Sequence, residues 1–407
     1  MKNELKRVIT LPLITFYGIG SILGAGIYVL ISKIAGISGM YMPISFLIAG
    51  IIAGFSAFSY AELSSRYPRS AGEAVYIQEA FSIRWFSSLV GWAIVLVGVV
   101  SVATLANGVV GYVELFINMP DWLVKVLIIT ILYLVSIWGV AESVIIASVI
   151  TIIEIIGILL IIFYGFESLF SLSYRYEELI PPLNKQILLP VIFGAFLSFY
   201  AYIGFEDMVN MAEEVKQPER NMPRAIILVL IITTLLYVLV SLVAVLSLPL
   251  DKLSSSRAPF ADILSVKGNF PVLIIGLISL VAILNGMLIQ IIMGARVLYG
   301  MSKSNMAPKY FSYISDRTRV PFITSTFVYL LIVLSALLLP LVSLAKLTST
   351  LILLVFSSVN LSLIVIKIRN YNSVKFNSSE VNYPILVPVF GLILSLGFLI
   401  IQIKSIT

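Results

Sequence analysis

Three acidic residues inside long apolar segments are the side chains of this sequence best placed to do chemistry. Glu154 lies at the centre of one such segment, and Glu206 and Asp207 lie two and three residues after Gly204 in another. A carboxyl group within a membrane-spanning segment is costly unless it is paired or protonated, so a functional role is the default interpretation. The chain contains no His and no Cys. Thiol catalysis and thiolate metal sites are therefore excluded, and any proton relay must use carboxylates, Lys or Tyr.

A group of four glycines, Gly18, Gly20, Gly24 and Gly26, interrupts the first apolar segment at about residues 8–32. Glycine weakens a helix, and a break within a bilayer frees backbone groups that lipid cannot satisfy. Free amides at the start of a helix suit an anion, and free carbonyls at the end of a helix suit a cation. A break that offers both predicts a site for a small zwitterion.

A second glycine-marked break is predicted at residues 199–207, where Gly204 stands beside the two acids. Gly24 and Gly204 are 180 positions apart, each in the first segment of a possible five-segment half. A pair of glycine-interrupted segments in corresponding positions points to a transporter built from inverted repeats, with its site at the bilayer midplane.

The composition identifies the elements that must position these residues as membrane-spanning helices. Of the 407 residues, 60% are hydrophobic and 11% are charged, and the mean hydropathy is +1.09, which excludes a soluble protein. Eleven apolar segments are long enough to be predicted as spans, at about 8–32, 41–65, 84–112, 122–140, 143–166, 187–212, 224–248, 271–300, 321–340, 343–367 and 384–405.

The distribution of basic residues predicts a cytoplasmic N-terminus. With that orientation, 17 of the 26 Lys and Arg residues fall in cytoplasmic loops. Eleven spans then place the C-terminus outside, and the first apolar segment is a retained helix rather than a signal peptide. Because topology accounts for the net charge of +6, no nucleic-acid partner is expected.

The loop after the second span contains a capping-box pattern, Ser70-Ala71-Gly72-Glu73. It predicts a short interfacial helix that ends at about Phe81. We expect its side chains to be solvated rather than functional.

Four stretches resemble, in family order, the signatures of the amino acid–polyamine–organocation (APC) superfamily. They are ILGAGI at 22–27, YAELSSRYPRSAGE at 60–73, GFE at 204–206 with AEEV at 212–215 and PERNMPRAI at 218–226, and Asn285 with GARVLYGM at 294–301. The likeness covers about residues 11 to 321. It implies an all-α integral membrane protein of the LeuT-type 5+5 inverted-repeat fold, with discontinuous spans 1 and 6. The repeats would be about 8–166 and 187–367, with an additional span at 384–405, in one domain of residues 1–407.

The substrate site is predicted at the two breaks. The amides of Ala25 and Gly26 would bind a carboxylate, and carbonyls around Ile22, Leu23, Tyr200, Ala201 and Ile203 would bind an ammonium group. The alternative for the glycines is close helix packing, since Gly20 and Gly24 form a small-xxx-small pattern.

Side chains on neighbouring spans would set selectivity. The resemblance implies that Tyr200 is an aromatic gate and Glu206 the family's acid in span 6, whereas ordinary packing is the alternative for Tyr200. Gly24 and Gly204 are predicted site residues at the two breaks. The residues predicted to contact the substrate side chain are Ser101, Thr104, Phe205, Asn285 and Ser357. None of them is an acid or a base, which favours neutral amino acids.

Glu154 departs from the family pattern. Several proton-coupled relatives resemble the stretch around it but carry Lys at this position. A buried carboxyl is costly to ionise, and we expect Glu154 to carry a coupling proton and, when protonated, to donate to a free carbonyl of span 1. Coordination of Na⁺, or a purely structural tie between spans, is the alternative.

The sequence therefore predicts a permease of the cell membrane, a proton symporter for neutral amino acids that works by alternating access. No metal or cofactor is expected, and the partners are the bilayer and the small substrate. An amino-acid or polyamine exchanger, a uniporter and a Na⁺-coupled symporter remain alternatives. An enzyme or a channel is remote, because the chain shows no catalytic motif, filter loop or ring of charges.

Overall fold

The computed structural model describes residues 7–69, 72–138, 143–267, 272–314, 321–370 and 381–404. These ranges are almost entirely helical. The α-helices are α1 (Leu11–Ala25), α2 (Ile27–Ser38), α3 (Met42–Arg66), α4 (Gly72–Phe81), α5 (Arg84–Val113), α6 (Asp121–Trp138), α7 (Ser143–Tyr164), α8 (Phe166–Leu169), α9 (Leu172–Leu179), α10 (Lys185–Phe199), α11 (Pro218–Ser247), α12 (Leu250–Ser255), α13 (Pro259–Lys267), α14 (Val272–Lys303), α15 (Phe322–Leu338), α16 (Leu341–Asn370) and α17 (Leu386–Lys404). The 3₁₀ helices are Gly39–Tyr41, Tyr200–Tyr202, Glu206–Glu214 and Lys309–Ser312.

The helices have the lengths and compositions of membrane-spanning elements. In the described ranges, seven helical stretches could cross a bilayer: Ile27–Arg66, Arg84–Val113, Ala147–Tyr164, Lys185–Glu214, Pro218–Ser247, Leu273–Lys303 and Leu341–Arg369. Three shorter apolar helices are Leu11–Gly24, Phe322–Leu338 and Leu386–Gln402. Large apolar side chains such as Ile131, Leu235 and Leu330 lie on the outside of the bundle, where lipid would cover them. The protein is an all-helical membrane protein, whereas the count of eleven crossings stays a prediction.

Both predicted breaks are present, but of the four glycines at the first one only Gly26 interrupts the helix, since Gly18, Gly20 and Gly24 lie within α1. Helix α1 ends at Ala25 and α2 begins at Ile27, with Gly26 between them. Helix α10 ends at Phe199 and continues as the 3₁₀ turn Tyr200–Tyr202, an extended Ile203 and the 3₁₀ helix Glu206–Glu214. We call the interruption at Gly26 the first break and the interruption at 200–205 the second break.

The two interrupted segments are tied together at one end of the bundle. The Ile9 amide donates to the Glu214 carbonyl at 3.0 Å, and the Lys216 amide donates to the Ile9 carbonyl at 2.8 Å. These bonds form an isolated parallel bridge between Ile9 and Val215. Helix α1 then packs against α7, α11 and α14, which places the first break inside the bundle.

The capping-box pattern predicted α4 correctly, although Ser70 and Ala71 lie outside the described residues. The expectation that its side chains are solvated is wrong. Glu73 is 1% exposed and Tyr76 is fully buried, because α4 packs against α5 and α16. A Cβ added at Gly72 would lie 2.5 Å from Val209, so α4 also touches the 3₁₀ helix Glu206–Glu214.

Candidate functional site

The two breaks pack directly against each other. A Cβ added at Gly26 would lie 2.6 Å from the Ala201 Cα atom. A Cβ added at Gly204 would lie 2.7 Å from the Ser21 carbonyl carbon and 2.9 Å from the Ile22 amide nitrogen. Main-chain atoms of the two segments can approach this closely only because neither glycine carries a side chain.

Gly204 is also required by its backbone conformation. Its φ angle is +133°, a region that residues with a Cβ rarely adopt. The conformation turns the chain between Ile203, which is extended, and the 3₁₀ helix that follows. The amide of Gly204 donates to Glu206 Oε2 at 2.8 Å, which fixes this turn.

The first break also contacts α14, so the packing interpretation of the glycines holds for Gly24. A Cβ added at Gly24 would lie 2.9 Å from the Gly286 Cα atom, and one added at Gly286 would lie 2.7 Å from the Gly24 carbonyl carbon. Gly286 was not predicted from the sequence. The signal available for it was its position directly after Asn285, a predicted site residue.

Two of the predicted carbonyls converge on one hydroxyl group. Tyr237 Oη lies 2.9 Å from the Ile22 carbonyl oxygen and 2.9 Å from the Ala201 carbonyl oxygen. A tyrosine hydroxyl has one proton, so the two carbonyls share a single donor. Tyr237, on α11, was missed because it is one Tyr among 20 and carries no motif.

The start of α2 lies slightly later than predicted. Ala25 is the last residue of α1, and α2 begins at Ile27. The amides of Val29 and Leu30 both donate to the Gly26 carbonyl, at 3.2 and 2.9 Å. The first amides of a helix have no acceptor within it, and the amide of Ile27, next to the predicted Gly26, is the first one of α2.

Tyr200 connects the second break to α5. Its hydroxyl lies 3.0 Å from Ser101 Oγ and donates to the Ser101 carbonyl at 3.0 Å. Thr104 is one turn away on α5, is buried, and donates to the Val100 carbonyl. The structure therefore brings together Tyr200 and Ser101, two residues that the sequence placed in one site.

An aromatic cluster lies beside the second break. The Phe205 ring centroid is 5.6 Å from that of Tyr60 and 5.2 Å from that of Phe356. Ser357, the predicted residue, is directed to its own helix and donates to the Leu353 carbonyl at 2.7 Å. Phe356 rather than Ser357 thus faces the break, a one-residue difference that periodicity along a helix could not resolve.

Glu154 and Asn285 form a buried pair. Asn285 Nδ2 donates to Glu154 Oε1 at 2.9 Å, and within the described residues Glu154 Oε2 has no hydrogen-bond partner. Among the described residues, the expected bond from Glu154 to a carbonyl of the first span is not formed, because the carboxyl group accepts from Asn285 on α14 instead. The first interrupted segment is reached through Tyr28, whose hydroxyl donates to the Glu154 carbonyl at 2.9 Å.

Asp207 joins three elements near the breaks. Its Oδ2 atom accepts hydrogen bonds from Ser21 Oγ at 3.0 Å and from Gln290 Nε2 at 2.6 Å. Ser21 belongs to α1 and Gln290 to α14. Neither residue was predicted, and the only signal for them in the sequence was a polar side chain within an apolar segment.

The breaks are closed at the end of the bundle that carries α13. The Tyr28 ring packs edge-on against Phe260 at a centroid distance of 5.0 Å, and the Tyr112 hydroxyl donates to the Tyr28 carbonyl. Arg257 reinforces this end by ion pairs to Glu114 at 2.6 Å and to Asp121 at 2.9 Å.

A cavity of about 830 Å³ opens at the opposite end, and we call it the vestibule. Residues of α4, α14 and the 3₁₀ helix Glu206–Glu214 contribute to its wall. Its basic residues include Arg296 and Lys303 on α14, and Arg69, which precedes α4. A small cavity of about 10 Å³, lined by Glu206, Asp207, Gln290 and others, lies next to it. Met293 and Val297 line both cavities and thus separate them.

The buried break residues are not part of either cavity. Ile22, Leu23, Tyr200, Ala201 and Phe205 are fully buried, and Ile203 is 1% exposed. The described part of the chain also has no cluster of three or more acidic residues spaced to hold a metal ion.

A family profile and individual relatives both place the chain among amino acid permeases and related transporters. The profile of the family described as "Amino acid permease" matches residues 9–404. The chain is 31% identical to cationic amino acid transporter 3, mitochondrial, of Arabidopsis thaliana, over 78% of this chain and 55% of the relative. It is 27% identical to the branched-chain amino acid permease BcaP of Bacillus subtilis, over 90% of this chain and 82% of the relative. It is 30% identical to the methylthioribose transporter of the same bacterium, over 79% of this chain and 72% of the relative.

The lengths of these proteins differ. The chain spans just over half of the two plant transporters that it matches with 31% and 29% identity. The family and these relatives are permeases and transporters rather than enzymes, in agreement with the expectation from the sequence.

Proposed function

The chain belongs to the amino acid permease family of the APC superfamily, and from that membership we propose that it is a secondary active transporter of amino acids. It would sit in the cell membrane with a cytoplasmic N-terminus and work by alternating access. The repeats would be residues 8–166 and 187–367 of a LeuT-type 5+5 fold, with 384–405 as an added span in one domain. The two breaks support this proposal, since each interrupts the first segment of a half.

The convergence of two main-chain carbonyls on one hydroxyl carries the assignment of the substrate site. Ile22 and Ala201 come from different segments, yet both oxygens lie 2.9 Å from Tyr237 Oη. A substrate ammonium group has three donors and suits these acceptors better than a single hydroxyl. In the proposed complex it takes the place of the Tyr237 proton.

The substrate carboxylate would bind at the start of α2. The amides at Gly26 and Ile27 lie at the positive end of that helix. The carbonyls and the helix start belong to one break, so a single α-amino acid can reach both. Gly24 and Gly204 would allow the segments around the site to pack closely. Leu23, Ala25 and Ile203 would contribute main-chain atoms around the site.

The conformation corresponds to a state with a closed site and an open cytoplasmic vestibule. Arg69, Arg296 and Lys303, which line the vestibule, are among the residues that the charge distribution assigns to the cytoplasm. Tyr28, Phe260 and the Arg257 ion pairs would close the outer side. Tyr200, held by Ser101, would act as the gate over the site, and Glu206 would support the turn below it.

The aromatic cluster favours neutral, apolar substrates. Phe205 and Phe356 offer an apolar surface beside the second break, and Thr104 is bonded to its own helix. This is compatible with the branched-chain substrates named for one relative. A cationic amino acid is a second candidate, because the unpartnered Glu154 Oε2 could pair with a basic side chain and the plant relatives are named for cationic amino acids.

Glu154 would carry the coupling proton. A protonated carboxyl can keep the hydrogen bond from Asn285 and lose little on burial, whereas an ionised one lacks a cationic partner among the described residues. Na⁺ coupling and obligatory exchange are the outcomes that the experiment below separates.

Uptake by proteoliposomes tests the function. The purified full chain is reconstituted, and uptake of labelled leucine and of labelled arginine is measured under a pH gradient, under a Na⁺ gradient, and with internal amino acid alone. We expect leucine uptake driven by the pH gradient. Arginine uptake would select the second candidate, and uptake that needs internal substrate would mark an exchanger. No uptake of either amino acid under any of the three conditions would contradict the proposal.

A further inference from the structure

Three buried acids near the vestibule have no cationic partner among the described residues. Glu73 is 1% exposed, Glu206 is 3% exposed and Asp207 is 6% exposed. Glu62 shows the contrast, because it is equally buried but forms ion pairs with Arg66 and with Lys367. An unpaired buried carboxylate is far more costly than one held in this way.

The hydrogen bonds of the three acids come from neutral groups. Asp207 accepts from Ser21 and Gln290, and Glu206 accepts from the Gly204 amide. Glu73 faces the buried hydroxyl of Tyr60, which is also a neutral group. Among the described residues, the three acids therefore have only neutral neighbours for their hydrogen bonds.

The groups around the acids do not supply a compensating charge. Tyr60 on α3 and Tyr76 on α4 face Glu73. Tyr17 on α1 interacts with Asp207, and Arg296 on α14 is an exposed residue of the vestibule wall. The other charged contacts of α4, those of Arg69 and Arg369, go to Glu79, near the far end of the helix.

The three carboxyl groups lie within electrostatic range of one another. Glu73 interacts with Asp207, and Glu206 interacts with both. Burial and the nearby Asp207 carboxyl raise the pKa of Glu73, which lies outside the spanning segments, to about 8. Carboxylates that share a buried site cannot all be ionised, so the cluster retains one or more protons.

The cluster borders the vestibule, and protons can reach it from there. Ala74 and Val75, next to Glu73, line the vestibule, and Glu206 and Asp207 line the small cavity behind Met293 and Val297. At about 10 Å³, the small cavity has room for about one water molecule.

We propose that Glu73, Glu206 and Asp207 form a proton-binding site that controls the passage between the vestibule and the breaks. Loss of a proton adds a negative charge to the cluster, and the carboxylates on α4 and on the 3₁₀ helix Glu206–Glu214 then repel each other across the contact between these two helices. That contact is direct, through Gly72 and Val209. When α4 and the 3₁₀ helix separate, the side chains of Met293 and Val297 between the two cavities can move. A raised pH in the vestibule thereby opens a path from the vestibule to the breaks. This role in release rests on the proposed transport function.

Thiol accessibility tests the switch without relying on transport. The chain has no Cys, so Met293→Cys is a single label at the buried partition, and Ser304→Cys is an exposed control in the vestibule. The labelling rate of the first is divided by that of the second, which corrects for the ionisation of an exposed thiol. The acid variants below are the control for the different ionisation of the buried thiol, because they change the carboxyl groups and leave the thiol in place. We expect the ratio to rise with pH, by up to about tenfold per pH unit for the release of one proton.

The variants then identify the acids. Glu73→Gln and Asp207→Asn, each combined with Met293→Cys, should flatten or shift the pH profile of the ratio. Glu79→Gln, on the same helix but with a side chain that is 39% exposed, should keep the profile of the parent. A ratio independent of pH, or a profile unchanged by both Glu73→Gln and Asp207→Asn, would overturn the proposal. A pH-dependent ratio in a chain that transports no amino acid would support the switch and remove the proposed function.

Discussion

The contact between Gly204 and the first break leads to a sharp prediction about the variant Gly204→Ala. The added Cβ would lie 2.7 Å from the Ser21 carbonyl carbon and 2.8 Å from its oxygen. Both are main-chain atoms, so no rotamer change relieves the overlap, and overpacking of this kind costs about 1–3 kcal/mol. The φ angle of +133° adds strain of about 1–3 kcal/mol for a residue with a Cβ. We therefore expect a loss of about 2–6 kcal/mol.

The assay compares this variant with a glycine that has room for a side chain. Gly397 lies in α17, and a Cβ added there would meet nothing within 4 Å. Because alanine favours a helix, Gly397→Ala should gain about 0.5–1 kcal/mol. The free energy of unfolding of the purified proteins in one detergent is followed by tryptophan fluorescence against denaturant concentration. A Gly204→Ala variant within about 0.5 kcal/mol of the parent would refute the reasoning that the two breaks pack backbone to backbone.

Three further predictions concern the polar groups. The pKa of Glu73 is about 8 in the folded protein, against 4.5 for an unperturbed carboxyl, so folded Glu73 keeps a proton that the unfolded chain releases. Stability should therefore fall as pH rises from about 4.5 to 8, by about 1.4 kcal/mol per pH unit at most. Glu73→Gln should flatten this slope in thermal unfolding, and an equal slope in both proteins would contradict the prediction. Tyr237→Phe should lower stability by about 1–3 kcal/mol, more than the control Tyr133→Phe, and leucine should restore part of the loss in a thermal-shift assay; equal losses would argue against the shared hydroxyl. Glu154→Gln should still bind leucine but lose accumulation driven by a pH gradient in proteoliposomes, and accumulation with the parental pH dependence would exclude the coupling role.

The patterns that could be predicted from the sequence are the local ones. Apolar segments long enough to span a bilayer, glycine clusters that interrupt them and a capping box before α4 each act within a few residues, so they can be recognised along the chain. The breaks at Gly26 and Gly204 and the helix Gly72–Phe81 were located in this way.

Contacts between residues of distant segments could not be predicted from the sequence. Tyr237, Gln290 and Gly286 are essential to the geometry around the breaks, yet each looks like an ordinary residue of an apolar helix. The burial of Glu73 was mistaken for exposure because an interfacial helix with polar residues usually faces water. Only its packing against α5, α16 and the 3₁₀ helix removes it from solvent.

The sequence by itself determined that this chain is a helical membrane protein of a permease family, with two interrupted segments and acids buried in apolar surroundings. The tertiary structure decided what those features do to one another. Interruption of a helix is set by local backbone energetics, so glycine spacing predicts it. The sharing of one hydroxyl by Ile22 and Ala201, the pairing of Glu154 with Asn285 and the gathering of Glu73 with Asp207 depend on how segments far apart in sequence pack in space.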